Sequence, residues 1–396
     1  MNDSERSSPH LQVLIVTHYF SDHGGGIEAV AGQLARRFVQ RGASVTWAAS
    51  DTDDPAANRQ AGIRCEPMRS WNAVEKKIGV PFPVWSPRAL LHLVQLIRRA
   101  DIVMFHDILY LPNLIGMVAA LVARTPYLIV QHVGFVPFKN PLLRLLVSLG
   151  NRTAGRLAMR KAGAVIFISD VVRAYFSRFI PLGKLHCELI ANGVDGALFK
   201  PSPASGQAVS TRAVHHAPPF RKTFLFVGRF VEKKGLALLQ ALAEQMRDVK
   251  WQFVGWGPID PRMWGLENVE VLGRLPQEQL PHLYRMADLL VLPSQGEGFP
   301  LVVQEAMACG LPVAIATETA TALPGVPDVV FHAPVGQPNH DVETWLALLQ
   351  PLLEGETLAQ RRWTAAAFAE KHWSWEGSAD RHLRVLLSLV GSKNSK

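Results

Sequence analysis

Short apolar runs, rich in β-branched residues, recur at 13–16, 45–48, 102–105, 127–130 and 165–168, and again at 224–227, 251–254, 269–272, 289–292 and 313–316. Between them apolar residues repeat at helical spacing, as in Ile27, Val30, Ala31, Leu34 and Phe38, or Leu236, Leu239, Leu242 and Met246. Such runs suit strands buried on both faces, and strand–helix alternation predicts parallel sheets covered by helices. The alternation breaks at residues 201–220, which are rich in Pro, Ser and Ala and have no strong period. The predicted organisation is an N-terminal domain over 1–200, a linker over 201–220, a C-terminal domain over 221–372 and a closing helix with a frayed tail over 373–396. In that helix Trp375, His382, Leu383, Val385, Leu386 and Leu389 are available for packing. The fold class read from this pattern is α/β: two doubly wound parallel-sheet, Rossmann-like domains facing an interdomain cleft. Ligands are expected at the carboxyl ends of the strands.

At 396 residues the chain exceeds one ordinary core, and 48% hydrophobic against 19% charged residues excludes a disordered protein. Cys65, Cys187 and Cys309 are too few and too scattered for a disulfide framework or a zinc site, which fits a reducing cytoplasm. The first ten residues lack the apolar stretch of a signal peptide, and the longest uncharged run, 108–123, is too short to span a bilayer. A formal charge of +8 suits an anionic partner such as a nucleotide, a phosphorylated acceptor, a membrane surface or nucleic acid, and equally a soluble protein that is basic without one. The basic residues form no nucleic-acid-binding motif.

The strongest chemical signal is PSQGEGFPLVVQEAMACGLPVAIA, residues 293–316. A strand ends, a glycine-containing loop follows, and a helix is predicted to begin near Pro300. Free N–H groups at Leu301 and Val302 would form an anion site at the strand edge. Glu297 and Glu305 would repel a phosphate, so they are better suited to the hydroxyls of a ribose and a sugar. In FVGRFVEKKG, residues 226–235, Gly228 lets the chain turn, and Arg229 and Lys234 can neutralise a diphosphate. The same spacing also suits a solvated charge run. In THYFSDHGGGIEAV, residues 17–30, Gly25 and Gly26 lead into a helix whose amides can approach a phosphate.

The two glutamates within PS..EGF.L...EAMA.G.PV closely resemble the hallmark of the retaining family 4 glycosyltransferases of the GT-B fold. That resemblance implies transfer of a hexose-type sugar from a UDP- or GDP-sugar to an acceptor hydroxyl, with retention, in cell-surface polysaccharide or glycolipid assembly. By the same resemblance Glu305 would bind ribose hydroxyls and Glu297 the transferred sugar. The amides of Phe299, Leu301 and Val302, beside Pro300, would hold sugar and diphosphate, and Lys234 rather than Lys233 is the matching lysine. Gly25 and Gly26 match a Gly-Gly loop lining donor and acceptor. His132 matches a histidine near the donor sugar and the acceptor, while His18 and His106 are weaker candidates only because they too follow strands. Weaker matches extend over most of the chain. VLGRLP, 271–276, places Arg274 and Leu275 beside the base, and VGWGP, 254–258, carries Trp256 where an acidic residue is common. WSWEGSADRH, 373–382, resembles a helix that returns to the first domain. After Thr317 the family often has a Gly-Gly turn and an acid, which TETATALPGVPDVV lacks. No cofactor is expected beyond the nucleotide diphosphate sugar as co-substrate, and no obligatory metal. Asp51-Thr52-Asp53 follows only the second strand and reads as a solvated acidic loop.

Other readings stay open. A nucleotide-sugar epimerase or phosphorylase would use the same fold, and a non-catalytic subunit would have no use for the intact charged residues. Gly24-x-Gly26-x-x-Ala29 with Asp51 matches a dinucleotide fingerprint and an NAD-dependent oxidoreductase, but the glycines come late after the strand. Residues 139–163 are apolar and carry Arg144, Arg152, Arg156, Arg160 and Lys161. They fit either a core helix pair with snorkelling arginines or a face resting on an anionic membrane. The partners expected are therefore a nucleotide sugar, a carbohydrate or lipid-linked carbohydrate acceptor, and an anionic membrane surface. The matching location is the cytoplasm, peripheral at the inner face of the membrane.

Overall fold

The computed structural model describes residues 11–72, 83–134, 141–202, 220–323, 325 and 328–394. The chain divides into two compact units, Met1–Ala191 with Trp375–Lys396, and Asn192–Ser374.

The first unit contains strands β1 (Gln12–Val16), β2 (Ser44–Ser50), β3 (Arg64–Met68), β4 (Ser70–Trp71), β5 (Val84–Trp85), β6 (Ile102–His106), β7 (Tyr127–Gln131), β8 (Ala164–Phe167) and β9 (Cys187–Leu189). Seven of them form one sheet in the order β3-β2-β1-β6-β7-β8-β9. All of its pairings are parallel, while β4 and β5 pair antiparallel on their own. The second unit contains β10 (Lys222–Val227), β11 (Val249–Val254), β12 (Val269–Gly273), β13 (Leu289–Leu292), β14 (Val313–Ala316) and β15 (Val330–Ala333). Its sheet runs β12-β11-β10-β13-β14-β15, again parallel throughout. Each order reverses direction once, between β1 and β6 and between β10 and β13. The carboxyl ends beside those reversals are where a doubly wound sheet opens to a ligand.

The central strands are buried along their length, as Val13–Val16, Ile102–His106 and Leu289–Leu292 are. That is why they read as continuous apolar runs. In the two large sheets the strands that left no such run, β3, β9 and β15, lie at sheet edges and are partly exposed, while β4 and β5 have only two residues each. Among the described residues no helix is long and apolar enough to cross a membrane.

The boundary between units falls at Asn192, not at 200. Gln304 Nε2 donates to the Asn192 carbonyl at 2.8 Å, Arg285 Nη1 donates to the Lys200 carbonyl at 3.2 Å, and Phe199 packs on Tyr284. These contacts bind 192–200 to the second unit. The second unit likewise extends to Ser374, which bridges to Val194. The final helix, Trp375–Asn394, belongs to the first unit. It buries Trp375, His382, Val385 and Leu386, and Glu376 pairs with Arg37 and Arg41 at 2.7 Å. Nearly all of the expected linker, 203–219, lies outside the described residues.

Candidate functional site

In the second unit β10 ends at Val227, and Gly228 and Arg229 follow at its carboxyl edge. A short turn, Glu232–Lys234, then leads through Gly235 into the helix Leu236–Gln245. Gly235 has φ +78, and a Cβ there would lie 2.6 Å from the Pro293 carbonyl oxygen. The turn is therefore pressed against the chain leaving β13, which requires glycine twice over. That contact, with the Gln295 N–H donating to the Lys233 carbonyl at 2.8 Å, brings the two motifs together.

Lys234 Nζ lies 2.8 Å from Glu297 Oε1, and Lys233 Nζ lies 3.8 Å from the same oxygen. Burial disfavours the Glu297 carboxylate, but Lys234 and Lys233 outweigh it and hold the carboxyl below its usual range. Arg229 has a buried Nε without a hydrogen-bond partner. Pro300, with extended backbone, caps the helix Leu301–Ala308 and supplies no side-chain cap. The first-turn amides at Leu301 and Val302 are thus presented at a positive helix end. Phe299 is buried, with its ring against Trp373.

Glu305 is buried on this helix. Its Oε1 accepts from Gln277 Nε2 at 2.9 Å and its Oε2 from the Tyr284 hydroxyl at 3.1 Å. Burial pushes its carboxyl up, and the two hydrogen bonds only partly offset this. Each oxygen keeps a lone pair, which suits a diol better than a cation. Gln277 and Tyr284 fix this carboxylate but were not identified from the sequence.

Trp256 was noted there only as a departure, yet the fold gives it a central place. Arg229 follows β10, Trp256 follows β11 and Arg274 follows β12, three neighbouring strand ends. The Arg274 guanidinium lies 4.6 Å from the centre of the Trp256 ring, and that of Arg229 lies 6.0 Å away. A Cβ at Gly255 would run into the Gly228 carbonyl, so backbone packs on backbone and fixes where the indole stands. Leu275, beside Arg274, is half-buried.

The first unit presents a different centre. Gly25 caps the helix Gly26–Gln40, and a side chain at Gly25 would collide with the Glu28 carboxylate. That carboxylate is buried at the helix start, with Oε1 3.7 Å from His18 Nδ1. An acid already occupies this helix end, so the glycine loop favours hydroxyls over phosphate. The strand and the helix are also separated by the turn Ser21–His23, and no tight dinucleotide turn forms. Asp51 accepts from the Ser70 N–H, and Asp53 pairs with His23 at 2.9 Å.

His132 follows β7, and its Nε2 shares a hydrogen bond of 2.9 Å with Nδ1 of His106. Burial holds His132 down at about 3 and His382 at about 4, and it lowers His106 and His18 too. All four imidazoles are neutral near pH 7. Beside them is Asp107, unmarked in the sequence reading although it directly follows β6. Its φ is +61, a conformation uncommon for a residue with a side chain. The Asn113 amide donates to the carbonyls of His106 and Asp107 at 2.8 Å and fixes that bend. Asp107 Oδ1 accepts from the His132 N–H at 2.8 Å, from Gln131 Nε2 at 2.7 Å and from the Val133 N–H at 3.3 Å. Burial pushes its carboxyl up to about 7, against the pull of those amides.

Comparison with known proteins follows the same division. The model described as Glycosyltransferase Family 4 matches residues 24–197, and the one described as Glycosyl transferases group 1 matches residues 221–354. A D-inositol 3-phosphate glycosyltransferase of Mycolicibacterium smegmatis is 32% identical over 205 residues, covering 47% of this chain and 44% of the relative. The sulfoquinovosyl transferase SQD2 of Arabidopsis thaliana is 28% identical over 198 residues, covering 48% and 37%. The chain thus matches about half the length of these relatives or less. Anabaena HepE, solved with UDP and glucose, superposes with a TM-score of 0.72 at 22% identity, over 96% of this chain and 100% of that one. Sucrose-phosphate synthase of Thermosynechococcus elongatus gives 0.74 at 19% identity over the same shares. These superpositions establish the fold, and the two family matches together take in most of both units. The chain belongs to the family 4 glycosyltransferases of the GT-B fold.

Proposed function

We propose that this protein transfers a sugar from a nucleoside diphosphate sugar to an acceptor hydroxyl, with retention of anomeric configuration and without an obligatory metal. The observation that carries the reading is the carboxyl edge of β10 and β13. There stand a buried Arg229 nitrogen without a hydrogen-bond partner, the Lys234 ammonium ion-paired with Glu297, and a helix start at Leu301 without a side-chain cap. Cations and amides so placed stabilise charge that grows on a departing diphosphate. Glu305 takes the ribose hydroxyls, Arg274 and Leu275 flank the base, and Glu297 meets the sugar. The bond from the anomeric carbon to the diphosphate oxygen breaks with its electron pair leaving on that oxygen. The acceptor oxygen bonds on the same face, and its proton passes to the departing phosphate. In the first unit the neutral His132 and the carboxyl of Asp107 are assigned to carbohydrate hydroxyls. The acceptor proposed is a carbohydrate or lipid-linked carbohydrate of cell-surface polysaccharide or glycolipid assembly. Relatives named for a phosphorylated inositol acceptor, and the net charge of +8, support an anionic acceptor.

Thermal unfolding with UDP, GDP, ADP and NAD, each in chelator, tests the donor half. A nucleoside diphosphate at about a hundred times its Kd stabilises the fold by roughly 2.7 kcal/mol. One diphosphate is expected to raise Tm, and Glu305→Ala is expected to weaken that response about tenfold in apparent Kd, the scale of a lost charged hydrogen bond. A rise with NAD alone would replace this reading with an oxidoreductase.

A further inference from the structure

The helix Pro141–Gly150 runs through a π-helical turn, Asn151–Gly155, into the helix Arg156–Lys161. The turn fixes how this element rolls against the first unit. Asn151 is buried and donates through Nδ2 to the Tyr175 hydroxyl at 3.3 Å, and Gly155 is buried against Ile108. Ala158 and Met159 are buried in the following turn. The opposite side therefore faces outward, and it is not polar. Leu145, Leu146 and Leu149, at helical spacing, and Leu157 beyond the turn are each more than half exposed. The neighbouring helix Leu111–Ala123, which packs on Arg156–Lys161, adds Val118 and Val122, the latter 76% exposed. A core helix pair would have buried these leucines, so that expectation fails for this face.

Charge decides what covers the patch. Arg144, Arg152, Arg156, Arg160 and Lys161 are all exposed around it, and neither 139–163 nor 108–125 contains an Asp or Glu. A second copy of the chain, meeting this patch with its own across a two-fold axis, would press arginine against arginine. An anionic lipid surface takes both components, with the leucines among the acyl chains and the guanidiniums at the phosphates. We propose that this face of the first unit lies in the surface of an anionic bilayer, seated by the Leu145–Leu146–Leu149 stripe and held by Arg152, Arg156 and Arg160. The helix is too short to span and rests in the plane of the interface.

The test is flotation of the full chain with phosphatidylcholine vesicles, with and without phosphatidylglycerol, in low and high salt. Binding is expected only to the vesicles containing phosphatidylglycerol, and salt is expected to weaken it. Charge contributes about 1 kcal/mol per basic residue near the surface, so the triple variant Arg152→Gln, Arg156→Gln, Arg160→Gln is expected to bind roughly a hundredfold more weakly. The double variant Leu145→Gln, Leu149→Gln is expected to lose on the order of tenfold in low salt. Both variants are expected to keep the wild-type circular dichroism and nucleotide response, so loss of lipid binding is separable from misfolding. Equal binding to neutral vesicles, no binding at low salt, or a dimer in sedimentation equilibrium that the leucine variant dissociates would each overturn the proposal. Because the readout needs no turnover, it stands or falls independently of the donor site.

Discussion

The two sheets share one strand order at their centres and carry different electrostatics at corresponding edges, one charged and one neutral. At the end of β10 stand Arg229 and Lys234, with Glu297 ion-paired beside them. At the ends of β1, β6 and β7 stand three imidazoles, joined by His382 and all held neutral by burial, and the Asp107 carboxyl pushed up to about 7. The first edge carries fixed cations, one of them paired with a carboxylate. The second is built of groups that exchange hydrogen bonds with hydroxyls and change charge only as the pH moves. The parallel sheet supplies the place, and the few residues after each strand supply the chemistry.

Lys234→Ala breaks the comparison hardest, because it removes the cation that a departing diphosphate would need. Turnover is expected to fall about a hundred- to a thousandfold, the scale for losing one preorganised charge-stabilising group. Steady-state kinetics check this, and turnover within a factor of a few of wild type would remove Lys234 from the chemistry.

Acid separates the two edges next. A histidine neutral in the fold and protonated in the unfolded chain costs stability as the pH falls from about 6.5 toward its lowered value, up to about 1.4 kcal/mol per pH unit. Asp107 acts the other way, since its raised carboxyl stabilises the fold at low pH and loses that contribution as the pH rises to about 7. Four histidines oppose one carboxyl, so Tm is expected to drop between pH 6.5 and 4.5. Asp107→Asn is expected to steepen the drop, and His132→Asn with His382→Gln to flatten it. A Tm in the wild type that holds level across this range would mean the imidazoles are not held neutral.

The smallest effect concerns Trp256. A cation–π contact at a half-exposed site contributes about 0.5–1 kcal/mol. Trp256→Leu is accordingly expected to raise the donor KM a few-fold while leaving kcat near its original value. A fall in kcat alone would give the indole a different part.

Much of this was legible in the chain. The buried strands announced themselves as apolar runs, and 289–292 and 313–316 were located to the residue. Glu297, Glu305, Arg229 and Lys234 stood out because their spacing around glycines is local and survives in one dimension. The edge strands β3, β9 and β15 were not legible because Arg64, Glu66, Pro67, Glu188 and His332 interrupt their apolar positions, whereas β12, also a half-exposed edge strand, kept Val269, Val271 and Leu272 and could be read.

The sequence by itself determined the α/β class, the two-unit plan and the charged residues that stand after β10 and β13, since periodicity and short-range spacing encode all three. Only tertiary structure decided the rest. It moved 192–200 onto the second unit and gathered His18, His106, His132 and His382 from four distant segments around Asp107. It stacked Arg229, Trp256 and Arg274 across three strand ends and turned Leu145, Leu146, Leu149 and Leu157 outward. Burial sets a group's charge and exposure sets a surface's partner, and both depend on neighbours that the order of residues along the chain does not display.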